Sequence, residues 1–381
     1  MASKRTPLHA THIAAGARLV DFAGWDMPLQ YTSVRDEQRA VREGAAVFDV
    51  SHMGRLLIRG AGAEGFLQHV VTGDVSRVAG GQALYTLLCR PDGGVIDDLV
   101  VYRGTPWRAV VNAATHDGDV AWLRQHAPDG VAVEDVSDES ALIALQGPRA
   151  QALLASELPE LAGPGRRLEI DLDSIPFFGW VELDLAGGPA AISRTGYTGE
   201  DGFELWIPAA AASAVWDRLT AAGAVPAGLA TRDVCRLEAA LRLYGADMDE
   251  RTNPYQAGLG WTVKLDKGDF LGAGALRAVK ERGPDRRLIG VEVEGRTIPR
   301  HGAAVRLAAA DGGTSEGGDV VGVVTSGTYS FWLRKGIALA SVDAAHAAKG
   351  TRLAVESRGA AAPAVVVGLP FYRGSARPTA R

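Results

Sequence analysis

The feature of this sequence that most restricts its fold is an order of elements that occurs twice. GRLLIRG reads as a strand, AEGFLQHVV as a helix closed by Gly73, ALYTLLC, VIDDLVVY and WRAVVNA as strands, and HDGDVAWLRQH as a helix. Apolar residues alternate or run together in the first kind and recur every three or four positions in the second. From Ala141 the order returns: ALIALQG is a strand, PRAQALLASEL a helix with Pro148 in its first turn, FFGWVELDL, PAAISRT and FELWI are strands, and AAASAVWDRLTAAG is a helix. The two copies are offset by about 90 residues and are alike in element order, not in residues. They predict two related α+β lobes, with a ligand cleft between them.

The flanks differ. Before the repeat, SVRDEQRAVREG is a charged helix with Ser33 as its cap and Gly44 as its stop. After it, TRDVCRLEAALRLYG reads as a helix with Thr231 as N-cap and Gly245 beyond its end. Past AVKERGPDRR the texture changes to short β runs separated by Gly, Pro and Asp: LIGVEVE, AAVRLA, VVGVVTS, GIALASV, TRLAVES and a last run ending in VVVGL. Without a helical period among them, they predict a small all-β barrel or sandwich. RGSARPTAR is expected to be a mobile tail.

Composition narrows the partners. Lys and Arg number 40 against 45 Asp and Glu in 381 residues, a net charge of -5. No nucleic acid or membrane surface is read by such a balance, so small molecules or proteins are expected instead. Cys89 and Cys235 stand alone in apolar stretches, which fits core thiols in a reducing cytoplasm and not a disulfide framework. The opening MASKRTPLHATH has no apolar run, and no stretch reaches the ~18 apolar residues of a membrane span. His9 and His12 alone approach helical spacing, with no completing ligands, so no metal is expected. Ser51 and His52 are adjacent, hence on opposite strand faces, and no G-x-S-x-G elbow occurs, so hydrolase chemistry is unsupported. Neither G-x-x-x-x-G-K nor a strand-anchored G-x-G-x-x-G is present.

Three stretches could carry chemistry. In GGVIDDLVVY, strand alternation puts Asp97 with Val95, Leu99 and Val101, and Asp98 with Ile96, Val100 and Tyr102, so the two cannot act as a dyad. A carboxylate among β-branched residues must be paired, solvated or raised in pKa; the strand is either an edge with one wet face or the carrier of a functional acid. The Gly and Pro turn of VVYRGTPWRAV should pair this strand antiparallel with the one ending at Asn112, so that Asp98 and Asn112 share a face. Such a pair holds a flat heterocycle by its edge or is simply structural. SRTGYTGEDGFELWI has three glycines, Gly196, Gly199 and Gly202, but Glu200 and Asp201 argue against a phosphate cradle. Beyond them Glu204 shares its face with Trp206; it is either an exposed hairpin acid or the two-oxygen complement of a guanine or pterin edge. Arg232, in the first turn of its helix, suits a ligand carboxylate or an ordinary ion pair.

Taken with TPLHATH, VDFAGWDMPLQY, FDVSHMG, ALYTLL, VVNA, ALIALQGP, GLGWTVKLDK, IPRHG, VTSGTYS and LPFY, these stretches resemble the T-protein family of the glycine cleavage system, the aminomethyltransferases. The resemblance runs in family order along nearly the whole chain, and SRTGYTGEDGFEL is its most specific string. It implies an α+β clover-leaf of two intertwined lobes over residues 1–280 and an all-β barrel domain over 286–373, around a tetrahydrofolate channel. It implies transfer of the one-carbon unit from the aminomethyl-lipoyl arm of H-protein to tetrahydrofolate, giving 5,10-methylenetetrahydrofolate, ammonia and dihydrolipoyl H-protein. The family's key aspartate falls on Asp98. Met53, Tyr85, Asn112, Tyr197 and Glu204 match positions around the pterin, Arg232 the position near the glutamate tail, Val100 and Trp261 the channel wall, with Tyr372 near the C-terminus. The sequence departs from the family in NPYQAGLGW, where Asn253, Tyr255 and Gln256 replace a Thr-Pro-Leu-Glu-like string. A tetrahydrofolate-dependent demethylase of a small donor is the nearest rival on this fold, disfavoured by SRTGYTGEDGFEL and IPRHG. A non-catalytic folate-binding factor of iron-sulfur maturation would carry Gly-Cys-Tyr where this chain has Gly196-Tyr197-Thr198.

Overall fold

The structure, a computed structural model, describes residues 3–161, 170–185, 187–308, 318–357 and 360–376. The repeated order folds as two sheets of matching layout. In the first lobe the strands lie in the order Ala83–Cys89, Val95–Tyr102, Trp107–Val111, Gly54–Arg59 and Ala132–Asp135. In the second the order is Trp180–Leu185, Gly188–Ser193, Gly202–Pro208, Ser140–Gln146, then Ala46–Asp49 and Val225–Pro226. Strand Ala46–Asp49 precedes the first lobe in sequence yet is inserted in the second sheet, antiparallel to Ser140–Gln146 and parallel to Val225–Pro226. That insertion intertwines the lobes.

Strand alternation then explains the layers. Leu99, Val101 and Ala109 of the first sheet pack on Phe66, Leu67 and Leu123 of its own helices, and Phe203, Leu205 and Ile207 of the second pack on Leu154 and Trp216. The opposite faces meet each other: Tyr102 and Val110 from one sheet against Leu142, Ala144, Trp180 and Trp206 from the other. Each such side chain contributes about 1.5–3 kcal/mol on leaving water, so a strand with polar groups on this inner face must have a use for them.

The C-terminal β runs form a closed six-stranded barrel in which Arg286–Val293 pairs with both Lys335–Asp343 and Ala360–Val367, leaving no open edge. Among the described residues no helix is long and apolar enough to cross a membrane.

Three local expectations are corrected. The helix expected from Thr231 to before Gly245 spans Leu229–Glu238, with Gly228 at its N-cap. It ends early because Ala240 takes φ +55°. The Ala240 and Leu241 amides then donate back to Leu237 and Arg236 carbonyls (both 2.9 Å), a Schellman close with alanine where glycine is usual. The Thr231 hydroxyl donates instead to Glu37 Oε2 at 2.7 Å. The tail is not loose at its start: Ser375 donates from its amide and its hydroxyl to Glu200 Oε2 (2.8 and 2.6 Å), and residues 377–381 lie outside the described residues. Gln256, where the family string has an acid, accepts from the Asn253 amide (2.9 Å) and donates to Asp285 Oδ1 (2.7 Å), a bond a carboxylate could not make.

One ion cluster joins all three bodies. Helix Val34–Glu43 starts as predicted, with Ser33 accepting from the Asp36 amide, and carries Arg42 near its end. Arg42 donates to Glu200 Oε1 (2.7 Å), Glu238 Oε2 (2.5 Å) and the Thr198 carbonyl (2.9 Å), and the side chains of this triad are at most 2% exposed. Glu238 also accepts from Gln38 at 2.5 Å and from Ser330 of the barrel, while the Tyr372 ring stacks 4.1 Å from the guanidinium. Removing one partner of a buried pair strands a charge, so Arg42→Met is expected to lower stability by about 3–5 kcal/mol. Arg59→Ala, which breaks a pair with Glu134 whose side chains are 48% and 45% exposed, should change it by about 1 kcal/mol or less. Urea unfolding of both variants beside the parent protein measures the contrast.

Candidate functional site

Asp98 faces the layer between the sheets, with Val100 and Tyr102, while Asp97 faces the helices of the first lobe. The separation read from strand geometry holds, but the wet edge does not: Asp97 is fully buried. Its Oδ2 accepts from the Asn112 backbone amide (3.0 Å) and its Oδ1 from Asn112 Nδ2 (2.8 Å). The same Nδ2 donates to Asp98 Oδ1 at 2.9 Å, and the Tyr85 hydroxyl donates to Asp98 Oδ2 at 2.9 Å. The expected Asp98–Asn112 pairing is therefore real. Burial first, and the Asp97 charge second, push the Asp98 carboxyl up to about 7, against the pull of the Tyr85 and Asn112 donors.

Beside this group lies a cavity of about 560 Å³ with walls from the N-terminal hairpin (Val20, Phe22, Leu29), both lobes and the barrel. Of the residues predicted for a site, Met53, Asn112, Tyr197 and Arg232 line it. Arg232 lies over the Tyr197 ring at 4.8 Å, and its Nη1 is buried with no hydrogen-bond partner. Burial pulls its pKa down and Glu204 opposes this. The Tyr197 hydroxyl donates to the Arg242 carbonyl, which fixes the ring that Arg232 stacks on.

The other predicted residues fall around this centre. Tyr85 stacks on the Trp261 indole (5.9 Å, 24°), and Val100 packs into the layer between the sheets. Glu204 accepts from Thr195 at 2.5 Å and faces a narrow cleft with Tyr102, Arg108 and Trp206, next to the cavity and not on its wall. Tyr372 does not join the group: its ring is committed to Arg42 and its amide donates to the Glu238 carbonyl at 2.8 Å.

Sequence reasoning weighed His52 only as a base for hydrolysis; it is a buried cavity residue, edge-on to Phe22 (5.6 Å), with Nδ1 unpartnered. Burial holds it neutral by lowering its pKa to about 4. Its place in FDVSHMG, beside Met53, was the available hint. Arg300 and His301 of IPRHG reach the cavity from the barrel, where His301 Nδ1 donates to the Thr325 carbonyl at 2.6 Å. Among the described residues no group of three or more His, Cys, Asp or Glu is placed to hold a metal ion. The whole constellation is thus a half-buried, hydrogen-bonded carboxyl beside a cavity of about 560 Å³ whose wall includes an arginine with one unpartnered nitrogen. It suits an elongated ligand with a polar ring at one end and a carboxylate at the other.

Comparison with known proteins gives two family matches: the GCVT N-terminal domain over residues 8–267 and the glycine cleavage T-protein C-terminal barrel domain over residues 286–373. The aminomethyltransferase of Synechococcus elongatus is 46% identical over 97% of this chain and 96% of its own length. That of Thermotoga neapolitana is 47% identical over 98% of this chain and 99% of its own. The crystal structure of glycine cleavage system aminomethyltransferase T from Bartonella henselae superposes with a TM-score of 0.88 at 33% identity, covering 98% of this chain and 99% of that one.

The Tyr85 hydroxyl stabilises the charged form of Asp98, so its loss must raise the carboxyl further. A hydrogen bond to a charge contributes about 1.5–3 kcal/mol, so Tyr85→Phe should move the Asp98 titration up by roughly one pH unit or more. Carbon-13 NMR of the side-chain carboxyls, with Asp98→Asn to assign the resonance, reads the shift.

Proposed function

The chain belongs to the glycine cleavage T-protein family and is an aminomethyltransferase, and we propose that its cavity binds tetrahydrofolate as co-substrate with Asp98 as the catalytic carboxylate. The donor in this reading is the aminomethyl group on the lipoyl arm of H-protein. The observation that carries the reading is Asp98 itself, a carboxylate satisfied by Tyr85 and Asn112 next to a cavity lined by Arg232, whose Nη1 is unpartnered. Tetrahydrofolate has a polar ring for one end and a glutamate carboxylate for the other.

In the reaction the aminomethyl carbon gains bonds to two folate nitrogens. Its bonds to nitrogen and sulfur break, and the two protons from the folate nitrogens end on ammonia and the lipoyl thiol. Positive charge develops on a folate nitrogen as it attacks, and the Asp98 carboxylate, preorganised by two donors, stabilises that charge. Stabilisation of this kind, in a site closed to water, accounts for several kcal/mol of barrier. The Asn112 amide directs both its N–H groups at carboxylates, so its oxygen is left for a ligand N–H. Met53 and Tyr197 supply walls and Arg232 the partner of the glutamate carboxylate, while Val100 and Trp261 flank Tyr85 outside the lining and Glu204, off the wall and bonded to Thr195, is assigned to the pterin by the resemblance alone. In this reading the protein works in the cytoplasm, which two buried, free thiols support. The folding units of this reading are residues 1–280 and 286–373.

The test is ammonia release from aminomethylated H-protein with and without tetrahydrofolate. The parent protein should release ammonia only with both, with kcat rising through about pH 7 as the Asp98 carboxylate forms. Asp98→Asn should lose at least about 100-fold in kcat. Release that needs no H-protein, or that ignores folate, overturns the reading.

A further inference from the structure

Beneath the Asp98 strand lies a second acid that the reaction does not use. Asp119, on helix His116–His126, is fully buried, and neither of its carboxyl oxygens has a donor if every carboxyl in the neighbourhood is ionised. Yet its side chain is within hydrogen-bonding reach of Asp97. Two buried carboxylates cannot bond to each other; one acid and one carboxylate can. The donors decide which is which. Asp97 accepts from the Asn112 amide and from Asn112 Nδ2, whereas Asp119 has no donor, the nearby Thr115 hydroxyl being given to the Asn112 carbonyl at 3.3 Å. Donors collect on the charged partner, so the charge belongs on Asp97 and the proton on Asp119.

We infer that Asp119 and Asp97 are positioning residues: a neutral Asp119 donates its proton to Asp97, the Asp97 carboxylate pins the Asn112 amide, and Asn112 holds Asp98. The inference rests on the reading of Asp98 as the catalytic carboxylate, but the Asp97–Asn112–Asp98 part of the network stands on hydrogen-bond geometry and Asp119 on its burial without a donor. Its logic is one of orientation. Asn112 Nδ2 carries two hydrogens; one goes to Asp97 Oδ1 and one to Asp98 Oδ1, at 2.8 and 2.9 Å. With an acceptor on each side the amide has a single orientation, and its oxygen faces the cavity. Were Asp97 neutral, its hydroxyl could donate, the amide could turn over, and Asp98 would lose a donor. A buried charge so close to Asp98 also acts on it directly, raising the pH at which Asp98 ionises. The other titratable groups that bear on this cluster are Tyr85 and Tyr197 beside Asp98 and Tyr244 beside Asp97 and Asp119, with Arg242 behind Tyr85. The tyrosines are neutral, so Asp97 supplies the negative charge that Asp98 feels most.

Two isosteric variants separate this arrangement from a merely structural one. Asp119→Asn replaces a neutral acid by a neutral amide that still donates, so the Asp98 carboxyl titration by carbon-13 NMR, and the acid limb of kcat, should stay where they are. Asp97→Asn removes a charge that weighs more on Asp98 than the Asn112 donor does, so both should move down even though the loosened amide opposes part of the shift, and kcat should fall about tenfold as Asn112 loses its anchor. A downward move in Asp119→Asn would mean that Asp119 is ionised in the parent protein and would overturn the inference; so would an unmoved titration in Asp97→Asn. Should Asp97→Asn fail to fold, Asp119→Asn decides alone, since its two outcomes are opposite. If the NMR titrations behave as stated while ammonia release ignores Asp98→Asn, the network stands and the catalytic reading of Asp98 falls.

Discussion

The architecture depends on a positive charge that has been taken out of water. Arg42 sits between Glu200 and Glu238 with its guanidinium fully buried, and such an ion is tolerable only where its donors are matched and the surplus acid is satisfied by neutral groups. Here one cation faces two carboxylates. The difference is met by Gln38 and Ser330 on Glu238 and by Ser375 on Glu200. Those donors come from an N-terminal helix, a barrel strand and the C-terminal segment. Satisfying one buried charge therefore requires that every part of the chain arrive together. The cavity is a by-product of that meeting, since its walls belong to the same parts: hairpin, lobes and barrel.

The same rule of matched donors governs the site, with a different outcome. Arg42 and its partners are closed against each other, while Arg232 keeps one buried nitrogen unpartnered and Asp98 keeps a carboxyl that burial resists ionising. The Arg42 cluster is closed; Arg232 at the cavity is left one bond short. That incompleteness makes a site receptive, because a ligand that supplies the missing group recovers a desolvation cost the fold has already met.

Much of the fold was legible in the sequence because it is written in periodicity. Element order predicted both lobes, and the alternation of VIDDLVVY separated Asp97 from Asp98 correctly. What periodicity cannot carry is anything decided by a partner far away in sequence. AVFD is a four-residue run with no pattern to tell which sheet receives it, and it enters the second. The helix at Leu229–Glu238 ends on an alanine with positive φ, a position where sequence reading looks for glycine and so ran on to Gly245. Gly374 approaches Gly199 so closely that a Cβ would lie 2.3 Å from its carbonyl oxygen, a packing contact that docks an apparent tail against the second lobe. At the site, strand pairing and helix position raised Asp98, Asn112 and Arg232 as candidates, and the family resemblance chose among their alternatives. Tyr372 could not be placed, because its choice of Arg42 over the cavity depends on where the barrel brings the chain end.

The wet-edge alternative for this strand fails at Asp97 for the most instructive reason. Read within its strand, an aspartate opposite a functional aspartate should be the one that can afford water, since a buried acid needs partners and none were visible nearby. Its partners are a residue at the end of the next strand and a second acid on the helix beyond. Asn112 stands where its strand has just ended, so its side chain is free of the alternation that keeps Asp97 and Asp98 on opposite faces, and it reaches both. The geometry that forbids a direct pair of acids thus permits an indirect one through an amide at a strand terminus. A carboxylate on the helix side of the sheet can then set the orientation, and the charge, of a carboxylate on the ligand side without touching the ligand.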